Sequence, residues 1–62
     1  MTTQEIRELR KRLGMTQAQF AAALRVSVTI VSLWETGRVS PGPLAQDALQ
    51  SLQKRAERRA KQ

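Results

Sequence analysis

Apolar residues recur along this chain at helical spacing, in four blocks separated by glycine, serine or proline. Ile6, Leu9 and Leu13 form one face of a helix that Thr2 or Thr3 can cap and Gly14 can end. Starting from Thr2, Glu5 completes a capping box, in which two side chains satisfy each other's free backbone N–H groups. Thr16 and Gln19 repeat that arrangement ahead of Phe20, Ala21 and Leu24, the apolar face of a short second helix ending near Leu24. Arg25 and Val26 then make a turn with Val26 pointing inward, and Ser27 can cap a third helix on which Val31 and Trp34 share a face. Gly37 follows as the residue just past its end. The small residues Ala21 and Ala22 suit a close approach where these two helices cross.

A loop with two prolines leads into a fourth helix, expected over about 43–58, with a basic tail at 59–62. Its apolar residues, Leu44, Ala45, Ala48, Leu49, Leu52 and Ala56, make a stripe wider than one packed face needs. Leu44, Ala48 and Leu52 are expected to close the core. Leu49 and Leu52, with Ala45 or Ala56, are expected to extend into a dimer contact. The fold class expected is all-α: one compact domain over 1–62, of four helices or five, with a helix-turn-helix at about 16–36. In such a unit the second helix enters the DNA major groove.

Composition narrows what this fold can do. Sixty-two residues make one small domain near the lower limit for an unassisted core. A net charge of +6 and a pI near 11.5 point to a polyanionic partner, with nucleic acid first, although ribosomal and membrane-surface proteins share such charge. The absence of cysteine excludes disulfides and thiolate metal sites, and the absence of histidine removes the commonest general base and zinc ligand. The carboxylates Glu5, Glu8, Glu35, Asp47 and Glu57 form no recognisable catalytic pair. The expectation is a protein that is not an enzyme and takes neither metal nor cofactor. No apolar run is long enough for a bilayer and no signal peptide is visible, so a cytoplasmic protein without a membrane partner is expected, on the nucleoid when bound to DNA.

Gly14-Met15-Thr16-Gln17, Phe20-Ala21, Leu24, Val26-Ser27, Val31, Trp34-Glu35 and Gly37 carry a resemblance to the Cro/cI-type (XRE) helix-turn-helix proteins, of the lambda-repressor-like fold. It spans Ile6 to Leu52. The run from Trp34 to Pro41, followed by a leucine-rich helix, looks most like the HigA- and YiaG-like antitoxin subgroup. The resemblance implies a structural ion pair between Arg10 and Glu35, and a DNA-backbone contact from Gln17. It places Arg25 where relatives carry a left-handed glycine, and Arg38 in a loop that touches phosphates. Arg7 and Lys11 are read instead as a solvated basic face.

From the residues themselves, the second helix offers free N–H groups beside Thr16 and Gln17, a natural phosphate clamp. Arg25, Ser27, Ser32, Thr36 and Arg38 are further phosphate candidates. On the third helix Val28, Thr29, Ile30 and Leu33 are the base-facing candidates. Here the chain departs from its relatives, which usually place Arg, Gln, Lys or Asn at several of these positions; only Thr29 and Ser32 are polar. Three explanations follow: contact with thymine methyl groups, readout of DNA shape, or a surface turned over to a protein partner.

The leading functional expectation is a sequence-specific regulator of double-stranded DNA, a homodimeric repressor on a palindromic operator, of antitoxin, phage-repressor or controller type. Two other classes stand beside it. One is a protein-interaction module, such as a toxin-neutralising antitoxin or an adaptor. The other is a basic RNA- or ribosome-associated protein.

Overall fold

A hydroxyl opens each of the first three helices. In the computed structural model, which describes residues 1–60, α1 runs over Thr3–Arg12, α2 over Gln17–Leu24, α3 over Val28–Glu35 and α4 over Pro43–Ala60. The Glu5 N–H donates to Thr2 Oγ1 at 3.2 Å and the Thr2 N–H to Glu5 Oε1 at 2.8 Å. At α2 the Gln19 N–H donates to Thr16 Oγ1 at 3.1 Å and the Thr16 N–H to Gln19 Oε1 at 3.0 Å. Ser27 Oγ accepts the Ile30 N–H at 3.2 Å, starting α3. These side chains satisfy donors that a helix start otherwise leaves open. The expected boxes at Thr2 and Thr16 are both present.

The molecule is all-α, with no strand among the described residues, and has the four-helix order of a helix-turn-helix domain. Its core draws Ile6 and Leu9 from α1, Phe20, Ala21 and Leu24 from α2, and Val31 and Trp34 from α3. Leu49, Leu52 and Ala56 of α4 close it, while Leu13 and Val26 pack against its edge. Ala21 is buried where a close approach was expected, but Ala22 is exposed, so one alanine serves the crossing. No described helix is long and apolar enough to cross a membrane.

The orientation of α4 overturns two expectations. Leu44 does not close the core, being 86% exposed. Leu49, expected to reach a second subunit, is fully buried, and Leu52 is buried beside it. The reason is phase. At 3.6 residues per turn, Ala45, Leu49, Leu52 and Ala56 fall on one line, which docks against α1 and α2. Leu44 lies about 100° off Ala45 around the helix. Neither Leu49 nor Leu52 has surface left for a dimer contact. The helix also runs to Ala60, past the expected end at 58. Of the expected basic tail, residues 61 and 62 lie outside the described residues.

Candidate nucleic-acid interface

The turn between α2 and α3 is closed by backbone bonds. The Arg25 N–H donates to Ala22 O at 3.2 Å and the Val26 N–H to Ala21 O at 3.0 Å. Arg25 takes φ 60° and ψ 40°, the left-handed conformation that the resemblance implied for this position. Its Cβ makes that conformation cost about 1 kcal/mol. Its side chain is exposed and in no salt bridge among the described residues. At the far end of α3, Gly37 turns the chain at φ +78°, a region glycine enters without that cost.

The two helix starts face outward from this turn unit with donors unspent. In α2 the Gln19 N–H goes to the cap and the Phe20 N–H to Thr16 O at 2.9 Å. That leaves the Gln17 and Ala18 N–H groups for an external acceptor. In α3 the Ile30 and Val31 N–H groups go to Ser27, leaving those of Val28 and Thr29 open. The aligned peptide dipoles add positive potential at both starts. Ser27 and Thr16 are exposed, and each cap oxygen accepts a bond, so its hydroxyl hydrogen stays available.

Glu35, the last residue of α3, lies beside the start of α2 and is only 4% exposed. Arg10 grips its carboxylate with two bonds, Nε to Oε2 at 2.8 Å and Nη2 to Oε1 at 3.1 Å. This is the ion pair the resemblance implied. The Glu35 hydrogen bond holds the Arg10 guanidinium above its already high ordinary pKa. Arg10 Nη1 also donates to Met15 O at 3.1 Å, and Gln17 Nε2 to Glu35 Oε1 at 3.4 Å. Arg7, read from sequence as a solvated cation, is exposed yet donates from Nη2 to Glu35 O at 3.0 Å. Sequence reasoning missed the Gln17 and Arg7 contacts, since partners 18 and 28 residues apart leave no local signal.

The candidate base readers divide. Val28 is 46% exposed and Thr29 is exposed. Leu33 and Ser32 are half-buried. Ile30, expected to face outward, is half-buried and packs partly against the core. Thr36 is corrected as a phosphate donor: its hydroxyl donates back to Ser32 O at 3.1 Å and Leu33 O at 3.2 Å. Its N–H also closes the helix on Ser32 O, at 3.0 Å. Arg38 is exposed and unpaired among the described residues. Between Thr16 and Pro43 the only cations are Arg25 and Arg38. Among the described residues no cluster of carboxylates is arranged to hold a metal ion.

Two short capped helices crossing over a tight turn, with open N–H groups at both starts, define a helix-turn-helix domain. A family model described as helix-turn-helix matches residues 6–45, from α1 into the first turn of α4. The chain belongs to this family, the XRE-type helix-turn-helix proteins, and its function is of the DNA-binding, transcription-regulating kind. No curated protein and no solved structure matches the chain.

Proposed function

We propose that the chain is a sequence-specific repressor that binds a palindromic operator in double-stranded DNA as a homodimer. The observation that carries this reading is the pair of open helix starts, at Gln17 and Val28, beside the exposed cations Arg25 and Arg38. Phosphates are met by Thr16, Gln17, Ser27, Ser32 and the two arginines, which position the domain without reading sequence. Bases are met by Val28, Thr29 and Leu33, with Ile30 contributing only its outer edge. These side chains lack the paired donors and acceptors that recognise guanine, but they can contact the C5-methyl group of thymine. The pattern from Trp34 to Pro41 supports an autorepressor of antitoxin type ahead of a phage repressor or controller. A homodimer cannot use Leu49 or Leu52; exposed Leu44, beside half-buried Ala48, is the apolar surface that α4 offers instead.

Selection of bound sequences from a random duplex library tests this directly. The expected result is a near-palindrome whose half-sites lie about 10 bp apart or a multiple of it, with thymines opposite α3. Replacing those thymines by uracil should lower affinity while the salt dependence stays the same. Arg38→Ala should weaken all duplexes alike and flatten the slope of log K against log salt by about 0.9. A single unsymmetrical half-site bound by one subunit would contradict the dimer.

One observation favours a second reading. Val28, Ile30 and Leu33 give α3 an outer surface with no cation on it, which also suits an apolar protein partner such as a toxin. Duplex affinity that is negligible even at low salt would select that reading.

A further inference from the structure

Glu35 is the one acidic residue between Glu8 and Asp47, and it lies under the helix end read here as a phosphate grip. A lone carboxylate there would repel the phosphate. The bidentate Arg10 bonds, at 2.8 and 3.1 Å, neutralise it. Its contacts go further than joining α1 to α3. Arg10 Nη1 holds the Met15 carbonyl at 3.1 Å, directly before the Thr16 cap. Glu35 Oε1 takes the Gln17 carboxamide at 3.4 Å. The carboxamide has two N–H hydrogens, so one can rest on Glu35 while the other faces outward. Without that anchor the side chain regains its rotamer freedom and must lose it again on binding. A bridge that served only to fasten two helices would need neither the Met15 contact nor the Gln17 contact.

We infer that Glu35 is a positioning residue for DNA binding: with Arg10 it orients the Gln17 carboxamide and the open start of α2 towards a backbone phosphate. The inference rests on the reading of Gln17 as a phosphate contact.

The test exchanges the ion pair for apolar side chains, Arg10→Met with Glu35→Leu, because such exchanges are often neutral for stability. Circular dichroism follows folding, and fluorescence anisotropy follows binding to a labelled mixed-sequence duplex over a range of salt. The folded double variant should bind about threefold to tenfold more weakly, the contribution of one hydrogen bond. Gln17→Ala should cost about the same in the wild-type background and nothing further in the double variant. Equal costs of Gln17→Ala in both backgrounds would show that Glu35 only fastens helices, and the inference would fall. Wild-type affinity for Gln17→Ala alone would instead remove the phosphate reading, and the inference with it. If the double variant does not fold, the wild-type protein still decides. Relaxation of the Gln17 side-chain amide by NMR should show it held rigid beside the exposed Gln50; equal mobility of the two overturns the inference.

Discussion

The α2–α3 unit and α4 solve the same packing problem with different amounts of local instruction. α2 and α3 have eight residues each, and single residues mark their limits: Thr16 and Ser27 at the starts, Arg25 and Gly37 past the ends. With both ends fixed, two turns of helix leave one orientation in which Phe20, Leu24, Val31 and Trp34 all face inward. α4 has eighteen residues, enters from a proline-containing loop, and carries apolar side chains around much of its first two turns. Its phase is set by docking against α1 and α2. The contrast teaches that caps determine phase where helices are short, while a broad apolar stripe leaves it to the tertiary partner.

The sharpest break of that comparison lies within α4. Leu49→Ala should cost about 2–5 kcal/mol, as expected for emptying a fully buried site, whereas Leu44→Ala should change stability by less than about 0.5 kcal/mol. Urea titration of both variants checks this, and equal losses would mean that the helix is rotated. In the capped unit Thr16→Ala should cost about 1 kcal/mol, because the Gln19 N–H loses its acceptor while the backbone N–H of residue 16 keeps Gln19 Oε1. Arg25→Gly should act in opposite directions on two readouts. Relief of the left-handed conformation stabilises the fold by up to about 1 kcal/mol, while loss of the cation flattens the DNA salt slope by about 0.9.

The smallest effect is at α1. Hydrogen bonds from the Thr2 backbone, then its hydroxyl, hold the exposed Glu5 carboxyl below the ordinary carboxylate range, aided by the chain's N-terminus. A depressed folded-state pKa means this contribution is complete above the ordinary value and is lost as pH falls through the lowered one. Glu5→Gln should therefore narrow the stability difference between neutral and acidic solution. Denaturation of both proteins at each pH measures it.

Much of the fold was legible because its signals are local. Thr2 with Glu5, Thr16 with Gln19, and Ser27 each act within three residues, and each cap is where the sequence put it. The core lines of α1, α2 and α3 follow from helical spacing once those starts are set. Leu44 and Leu49 were misassigned because spacing alone allows either line along α4 to face inward. At the interface, the Arg10–Glu35 pair was accessible only through family resemblance, since 25 residues separate its members. Thr36 looked like a free hydroxyl until its bonds to Ser32 and Leu33 carbonyls assigned it to the helix end. Ile30 differs again: its position on α3 is correct, but one residue can be shared between core and groove.

The brevity of α2 and α3 bears on how long the protein survives. Helices shorter than about 12–15 residues are marginal on their own in water, so the surface offered to DNA exists only while the whole domain is folded. DNA that binds the folded chain alone pulls the equilibrium towards it, by about 2.7 kcal/mol at a hundredfold excess over Kd. The unfolded chain, with eleven lysines and arginines spread along it, presents cleavage points to any trypsin-like protease. Occupancy of DNA thus doubles as shelter. Molecules off the DNA are the ones exposed to such cleavage, so digestion by a trypsin-like protease should slow as duplex DNA is added.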